Sequence, residues 1–229
     1  MEYLYCPNDN FEDYSSGRVI YSGKGLPNFP VRLLNEIYGR AKSYLEKKEN
    51  IILYDPCCGG GYALTVLGMF DHLHIDRIYA SDANASMVAF AKKNLELLTY
   101  SGLRKRQHEI KHLHETYGKQ SHLEALMSCE KICHRLQKEI TAEFFEADCT
   151  KTLPDLNPDL IITDVPYGNL VDWTEKAALT AMLEQLWKIS HPQTILAVCM
   201  DKSQKTSGGR WIRLEKHTIG KRRFEILKK

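Results

Sequence analysis

The sequence lacks an uninterrupted apolar run of the roughly 18 residues that a membrane-spanning helix requires. Residues 1–4 also lack the basic start and apolar stretch of a secretory signal. The seven cysteines have no regular spacing, and Cys57 and Cys58 are adjacent, which is not the arrangement of a disulfide framework. These absences argue against a membrane or secreted protein, and we expect a cytoplasmic protein with reduced thiols.

Charge of one sign is also scarce, because the formal net charge is only +2. Hydrophobic residues make up 43% and charged residues 26%, which is typical of an ordinary globular protein. The positive charge is concentrated in residues 201–229, where ten Lys or Arg stand against three Asp or Glu. Such a cluster suits a polyanion, although a solvated basic face has the same composition.

Five short apolar or β-branched runs alternate with longer helical patterns, which is typical of a parallel sheet covered by helices on both faces. We therefore predict a doubly wound, Rossmann-like α/β fold in which each of the five runs is buried on both faces of the sheet. Two further runs around Gly220 predict a hairpin that forms an antiparallel edge of that sheet. The five parallel runs are 51–55, 77–82, 143–147, 159–164 and 194–200, and the hairpin runs are 210–215 and 222–227.

About 60 residues separate the second and third runs, far more than one crossover helix requires. Ser101-Gly102 is predicted to end the helix over 85–98, Gly118 to end the next one, and Ser121 with Glu124 to form a capping box that begins another. We predict an inserted helical hairpin over about 103–140, in a single domain spanning 1–229 with an N-terminal extension over 1–50. The outward face of the hairpin is predicted to carry Arg104, Lys105, Arg106 and Lys111.

A glycine-rich loop, Asp55-Pro56-Cys57-Cys58-Gly59-Gly60-Gly61, directly follows the first strand. Glycines there let the backbone turn tightly and approach a ligand beside a helix N-terminus. The dinucleotide-binding pattern requires a third glycine where this chain has Leu64, which argues against NAD or FAD. The Asp55 carboxylate suits a ligand with a cationic end, and we expect Asp55, Cys57, Gly59 and Gly61 to bind a cofactor.

Acids also follow the second and third strands. Asp82 ends the second strand, 27 residues after Asp55, where a carboxylate can accept hydrogen bonds from ribose hydroxyls. Asp148 follows the third strand, where an adenine amino group can be held. Either acid alone is equally well explained as a turn or cap residue, but acids at three consecutive strand ends favour a ligand site.

The fourth strand ends in Asp164-Val165-Pro166-Tyr167-Gly168. This loop resembles the Asp/Asn-Pro-Pro-Tyr loop of amino methyltransferases, although Pro-Tyr-Gly also suits a plain β-turn. A ring or exocyclic nitrogen of a base is a poor nucleophile because its lone pair is delocalised. We expect Asp164, Pro166 and Tyr167 to be catalytic: Asp164 accepts the proton of that nitrogen and Tyr167 stacks on the base, while S-adenosylmethionine supplies the methyl group.

With both loops placed, the chain resembles the AviRa-type 23S ribosomal RNA guanine methyltransferases, a family known for avilamycin resistance. The resemblance implies S-adenosylmethionine as the cofactor and a guanine ring nitrogen of large-subunit ribosomal RNA as the substrate. It rests also on Gly17-Arg18-Val19, the stretch Gly25-Leu26-Pro27-Asn28-Phe29-Pro30-Val31-Arg32-Leu33, Tyr117-Gly118-Lys119 in the insertion, and the basic region 216–223.

Other interpretations remain open at this point. The same Asp-x-Pro-Tyr loop serves methyltransferases that act on DNA or on a protein glutamine, and a catalytically silent RNA-binding module would keep the same fold. Trp211 is predicted either to stack on a base or to pack at the sheet edge. A zinc site formed by Cys129, Cys133 and His134 with His108 and His112 is conceivable, but paired Cys-x-x-Cys spacing is absent and we predict no metal.

Overall fold

A computed structural model of the chain describes residues 1–23, 29–165, 176–206 and 209–229. Within these ranges seven strands form one sheet. The strands are β1 (Ile51–Asp55), β2 (Ile75–Asp82), β3 (Thr141–Glu146), β4 (Leu160–Asp164), β5 (Ile195–Asp201), β6 (Ile212–Ile219) and β7 (Arg222–Lys228). The helices are α1 (Val31–Ser43), α2 (Tyr62–Asp71), α3 (Ala85–Leu95), α4 (Tyr100–Tyr117), α5 (Gln120–Arg135) and α6 (Lys176–Ile189), with 3-10 turns at Glu12–Tyr14 and Glu96–Leu98.

The strand order is β3-β2-β1-β4-β5-β7-β6. The pairings among β1 to β5 are parallel, whereas β7 pairs antiparallel with both β5 and β6. The predicted fold class and the antiparallel C-terminal hairpin are therefore confirmed, with Gly220 at φ +58° between the two hairpin strands. The direction of winding reverses between β1 and β4, and the carboxyl ends of such neighbouring strands form a crevice where α/β sheets bind ligands.

Burial follows the position of each strand. All seven residues of β5 except Asp201 are buried, as expected for a strand covered on both faces. The third predicted strand was expected to be equally buried, and this was wrong: β3 alternates between exposed and half-buried residues. β3 lies at the edge of the sheet and needs to bury only one row of side chains. It also begins at Thr141 and β2 at Ile75, two residues earlier than predicted in each case.

Successive residues of β1 enter two different hydrophobic clusters because side chains alternate across a strand. Leu53 packs with residues of α1, α2 and α3 on one face of the sheet. Tyr54 packs with residues of α6 on the other face, including Leu183 and Leu186. Helices thus cover both faces, and the polar carboxyl ends of the strands lie between two apolar layers.

The predicted insertion is a helical hairpin formed by α4 and α5. The helices run antiparallel, since His122 contacts the carbonyl of Leu113 near the turn and the Cys129 thiol contacts the carbonyl of Leu103 near the other end. Gly118 ends α4 in a left-handed conformation at φ +62°, as predicted. The helix end predicted at Ser101-Gly102 was wrong. Ser101 and Gly102 lie inside the first turn of α4, where Gly102 N–H donates to the capping hydroxyl of Thr99.

The predicted capping box at the start of α5 does not form. Lys119 is the N-cap residue and makes no side-chain cap hydrogen bond, while Glu124 forms an ion pair with Arg18 of the N-terminal segment. Arg106 was predicted to face outward, and this was also wrong. It is 8% exposed and donates to the carbonyls of Val19 and Arg18. Long-range partners thus attach residues 18–19 to the hairpin.

The N-terminal extension is also attached through a buried charged group, which we call the Glu36 cluster: Glu36 and Arg40 of α1 with Glu215 of β6. The Glu36 carboxylate accepts the backbone N–H groups of residues 4, 5 and 6. Arg40 donates to Glu36, to Glu215 and to the carbonyl of Glu2. Burial alone would raise the pKa of Glu36, but the three amides and Arg40 outweigh it and lower that pKa.

None of the helices in the described ranges is long and apolar enough to cross a membrane.

Candidate active site

The glycine-rich turn after β1 has the tight geometry that its sequence predicts. Gly59 and Gly61 have φ of +51° and +73°, conformations that L side chains rarely adopt. A Cβ at Gly61 would lie 3.0 Å from the Ala91 Cα of α3, whereas a Cβ at Gly59 would meet nothing within 4 Å. Gly61 therefore lets α3 approach the turn, and Gly59 leaves open space beside the backbone.

Asp82 at the end of β2 holds this turn in place. Its carboxylate accepts the N–H of Gly59 at 2.9 Å through one oxygen and the N–H of Asn84 at 2.9 Å through the other. The N–H of Cys58 donates to the carbonyl of Ser81 in the same strand. Each carboxylate oxygen can accept more than one hydrogen bond, so a ribose interaction of Asp82 stays compatible with these contacts.

A cavity of about 160 Å³ opens between the strand ends and the N-terminal extension. It brings together the ends of β1 and β4, the glycine turn, one face of α3 and residues from the first 40 positions. Its described lining consists of Ser16, Tyr21, Gly23, Phe29, Leu34, Ile37, Asp55, Cys57, Cys58, Gly59, Gly60, Tyr62, Ala63, Phe90, Asn94, Ile162, Thr163, Asp164 and Cys199. We call this space the edge cavity.

Asp55 lies at the floor of the edge cavity and is only 4% exposed. Burial raises its pKa to about 7. The N–H of Cys57, which donates to Asp55 at 3.0 Å, opposes this shift, and the charges of Asp82 and Asp164 add to it. A cationic ligand in the cavity would reverse the effect, since an adjacent positive charge favours the ionised carboxylate.

Asp164 ends β4 on the other side of the switch point, and its side chain is 28% exposed. The next residue, Val165, donates its N–H to the carbonyl of Cys199 and fixes the start of the loop against β5. An Arg222 guanidinium nitrogen lies 3.8 Å from one Asp164 oxygen. Asp164 and Asp55 thus line one cavity.

The remaining predicted site residues are placed differently. Cys57 and Gly59 line the edge cavity, but Gly61, Asp82 and Asp148 are not among its described lining residues. The Asp148 carboxylate accepts the N–H and hydroxyl of Thr150, so in this structure it serves a local turn. Pro166 and Tyr167 lie outside the described residues, and their predicted catalytic roles stay predictions.

The structure adds a residue that the sequence analysis missed. Asn94 of α3 is 1% exposed and connects two walls of the edge cavity. Its amide nitrogen donates to the carbonyl of Gly60 at 2.8 Å, and its oxygen accepts the N–H of Tyr21 at 2.9 Å. A polar residue on an apolar helix face was the available signal. Asn94 positions the glycine turn relative to the N-terminal extension.

Aromatic side chains supply much of the rest of the wall, and these were also missed. Tyr21, Phe29, Tyr62 and Phe90 all line the edge cavity. The Tyr21 hydroxyl donates to Glu109, and its ring lies beneath the ammonium group of Lys93, which is 3.9 Å from the ring centroid. Flat apolar surfaces beside polar strand ends are suited to a planar heterocycle.

Three cysteines that line the edge cavity, Cys57, Cys58 and Cys199, have raised pKa values. The Cys57 and Cys149 sulfurs are 3.5 Å apart, and this contact together with burial raises the pKa of Cys57 well above its usual value. Burial also raises the pKa of Cys58 and Cys199. Neutral thiols are weak nucleophiles, so these three residues are poorly suited to form a covalent intermediate.

The lesser sequence signals have simpler explanations. The Trp211 indole N–H donates to the carbonyl of Leu183, and its ring packs edge-on against Trp187 with centroids 5.5 Å apart. Of the two alternatives for Trp211, packing against α6 is the one observed. Across the part of the chain that the structure describes, no three His, Cys, Asp or Glu side chains group closely enough to hold a metal ion.

The residues in and beside the edge cavity fit S-adenosylmethionine by their chemistry. The site combines a buried carboxyl that a cation would ionise, an open glycine turn and a strand-end acid at β2, which match a positively charged sulfonium and amino group and a ribose. The strand order and this polar carboxyl edge define the class of the protein: it is a methyltransferase with a Rossmann-like fold.

Comparison with known proteins gives the family. The family model described as rRNA methyltransferase AviRa matches residues 1–222. The 23S rRNA (guanine(2535)-N(1))-methyltransferase of Streptomyces viridochromogenes is 34% identical over 222 residues, which covers 92% of this chain and 88% of that protein. The chain therefore belongs to the AviRa family of rRNA methyltransferases.

Solved structures agree with this assignment. A structure of the rRNA methyltransferase AviRa from Streptomyces viridochromogenes superposes with a TM-score of 0.89 at 31% identity, covering 97% of this chain and 94% of that chain. TrmN from Thermus thermophilus superposes with a TM-score of 0.51 at 12% identity over 86% of this chain and 48% of that chain, which shows a shared fold alone.

Proposed function

We propose that the protein transfers the methyl group of S-adenosylmethionine to a ring nitrogen of a guanine in 23S ribosomal RNA. The observation that carries this proposal is that Asp55, the glycine turn and Asp164 line one cavity. Membership of the AviRa family and the named activity of the Streptomyces relative support the choice of substrate. A ribosomal RNA substrate also implies action in the cytoplasm.

On the cofactor side, the protein supplies charge complementarity and shape. When bound, S-adenosylmethionine contributes a methyl group activated by a sulfonium charge, so the protein mainly aligns the reacting atoms. Asp55 holds the cationic end, and Cys57, Gly59 and Gly61 form the backbone turn against which the cofactor lies. We further propose that Asp82 accepts the ribose hydroxyls and that Asp148 holds the adenine amino group, after release of its hydrogen bonds to Thr150.

On the substrate side, Asp164 accepts the proton of the attacking nitrogen. This concentrates electron density on a nitrogen whose lone pair is otherwise delocalised into the ring. We propose that Tyr167 stacks on the base and that Pro166 fixes the loop that carries it. A paired guanine must first be swung out of its helix or be presented in a loop to reach this cavity.

Transfer of labelled methyl groups tests the proposal directly. We expect incorporation into 23S rRNA, little into duplex DNA, and none into a release-factor glutamine. Asp164→Ala is expected to lower the rate at least roughly 100-fold, the effect typical of losing a general base. Asp155→Ala, an equal truncation at an exposed position, is the matched control and is expected to keep full activity.

Mapping of the modified nucleoside by mass spectrometry completes the test. Incorporation into DNA or protein in preference to RNA would replace the proposed substrate, and an Asp164→Ala protein with unchanged activity would remove Asp164 from the mechanism.

A further inference from the structure

Arg222 lies beside the predicted catalytic aspartate, and the sequence analysis assigned it no role beyond the basic C-terminal region. Because β7 runs antiparallel to β5, its first residue lies at the carboxyl end of β5, where Arg222 is paired with Asp201. Asp164 is paired with Cys199 at the same edge. The hairpin topology therefore brings a cation to the sheet edge where chemistry is expected.

Arg222 contacts two residues that line the edge cavity. Its Nη2 lies 3.8 Å from Asp164 Oδ2, and its guanidinium carbon lies 5.0 Å from the centroid of the Phe29 ring. Asp164 and Phe29 both line the cavity. The Arg222 side chain is 26% exposed. A separation of 3.8 Å is longer than a direct hydrogen bond, so the contact between the two side chains is an ion pair.

A carboxylate next to a guanidinium matches the edge of guanine that carries O6, N1 and N2. Guanine presents an acceptor at O6 and donors at N1 and N2, whereas adenine presents a donor at N6 and an acceptor at N1. Asp164 can accept from N1–H and N2–H, and arginine is a preferred donor to guanine O6. Adenine in the same place would put its N6 donor against the donor Arg222 and its N1 acceptor against the acceptor Asp164.

We propose that Arg222 is a catalytic and specificity-determining residue that donates to O6 of the target guanine while Asp164 takes the N1 proton. This inference rests on the proposed function. When the proton moves from N1 to Asp164, the negative charge left on the ring spreads to O6. The nitrogen electron pair then forms the new N–C bond, the C–S bond breaks with its electron pair passing to sulfur, and Asp164 returns the proton to water.

The role of Arg222 is to stabilise charge that exists only after the proton has left N1. A fixed cation at that position lowers the barrier without having to bind the neutral base more tightly. The Phe29 ring restrains the guanidinium plane, and Arg222 is thereby oriented before the base arrives. Loss of Arg222 should therefore act on the chemical step and on its pH dependence.

The test compares Arg222→Gln and Arg222→Lys with Lys221→Gln in the full-length protein, on an unmodified 23S rRNA transcript. Lys221 is the exposed neighbour, and its replacement removes the same charge from the C-terminal hairpin. We expect Arg222→Gln to lower kcat roughly 100-fold with little change in KM, as for loss of one oxyanion donor. Arg222→Lys keeps the charge without the planar fork and should recover part of the rate.

The pH–rate profile separates catalysis from folding or general RNA attraction. In Arg222→Gln the rising limb should move to higher pH, because N1 loses its proton less readily without a cation at O6. Calorimetry with S-adenosylmethionine should show unchanged cofactor binding in this variant, which demonstrates an intact fold.

The inference is wrong if Arg222→Gln raises only KM, matches Lys221→Gln in kcat, or leaves the pH profile unmoved. Those outcomes differ from failure of the proposed function, in which the unaltered protein itself methylates no ribosomal RNA, and both proposals would then fall together.

Discussion

Two buried carboxylates, Glu36 and Asp55, differ in what surrounds them. Glu36 accepts three backbone N–H groups and a hydrogen bond from Arg40, and these partners lower its pKa despite complete burial. Asp55 accepts the N–H of Cys57 and lies near the charges of Asp82 and Asp164, and burial raises its pKa to about 7. An arginine lies beside Glu36, whereas the charges that act most on Asp55 are those of two other carboxylates.

The two pKa shifts have opposite consequences for stability. A lowered pKa means that Glu36 contributes stability above the pKa it has in the unfolded chain, and this contribution is lost as the pH falls. A raised pKa means that Asp55 destabilises the cofactor-free protein progressively as the pH rises through about 7. The Glu36 cluster thus stabilises the fold, whereas Asp55 gains its compensating charge when a cationic ligand binds.

The largest expected effect is on stability and comes from Glu36→Ala. Removing the carboxylate leaves three amides and one bond of a buried arginine without a partner, and breaking such a pair costs about 3–5 kcal/mol. The free energy of unfolding from urea titration measures this. Glu49→Ala, at an exposed position of the same extension, should change stability by less than about 0.5 kcal/mol. A loss below about 1 kcal/mol for Glu36→Ala would contradict our account of the cluster.

Gly61→Ala tests whether the turn beside Asp55 is as tightly constrained as the Glu36 cluster. The new Cβ would lie 3.0 Å from Ala91 at a positive φ, and we expect a loss of about 2–4 kcal/mol in unfolding free energy with weaker cofactor binding. Gly118→Ala is the matched control, since Gly118 has φ +62° but open space around it. It should cost only about 1–2 kcal/mol. Equal losses in the two variants would mean that α3 moves easily to make room for the Cβ added at Gly61.

Asp55→Asn should separate binding from stability. The neutral amide retains the shape of the side chain but not the charge that a cation requires, so S-adenosylmethionine affinity should fall roughly 10- to 100-fold. The unfolding free energy of the cofactor-free protein should stay the same or rise, because a poorly compensated acid has been removed. Calorimetry and urea titration measure the two quantities. A fall in stability comparable to that of Glu36→Ala would erase the contrast between the two carboxylates.

The smallest expected effect is a pH dependence of cofactor binding. Because the pKa of Asp55 is raised to about 7, its ionised fraction falls as the pH is lowered past that value. Affinity should drop roughly tenfold between about pH 8 and about pH 6. The same measurement on Asp55→Asn shows how much of the pH dependence comes from ionisation of the cofactor itself. If the unaltered protein and this variant give parallel profiles, the titrating group lies elsewhere.

Local sequence patterns predicted the strands, the glycine turn and the C-terminal hairpin because short-range physics determines each of them. Gly220 and Gly118 adopt left-handed conformations where a turn and a helix end require them. The acids at strand ends could be anticipated because parallel strands present their carboxyl ends at one edge. The roles of Asp82 and Asp148 toward a cofactor stay predictions.

Residues whose partners are distant in sequence could not be anticipated in this way. Arg106 has the local pattern of an exposed hairpin residue, yet its partner Val19 is 87 positions away. Asn94 contacts Tyr21 across 73 positions, and Arg222 meets Asp164 only because β7 inserts between β5 and β6. The wall of the edge cavity is made of such contacts, so its composition emerged only from the fold.

The position of β7 also affects the order in which the protein can assemble during synthesis. β6 leaves the ribosome before β7, yet β7 occupies the place beside β5, so the outer edge of β5 stays unpaired until residues 222–228 have emerged. Until then the nascent chain can form the glycine turn, but Phe29 and Asp164 lack their cationic neighbour. Chaperone protection of that exposed edge should therefore matter most before β7 has emerged.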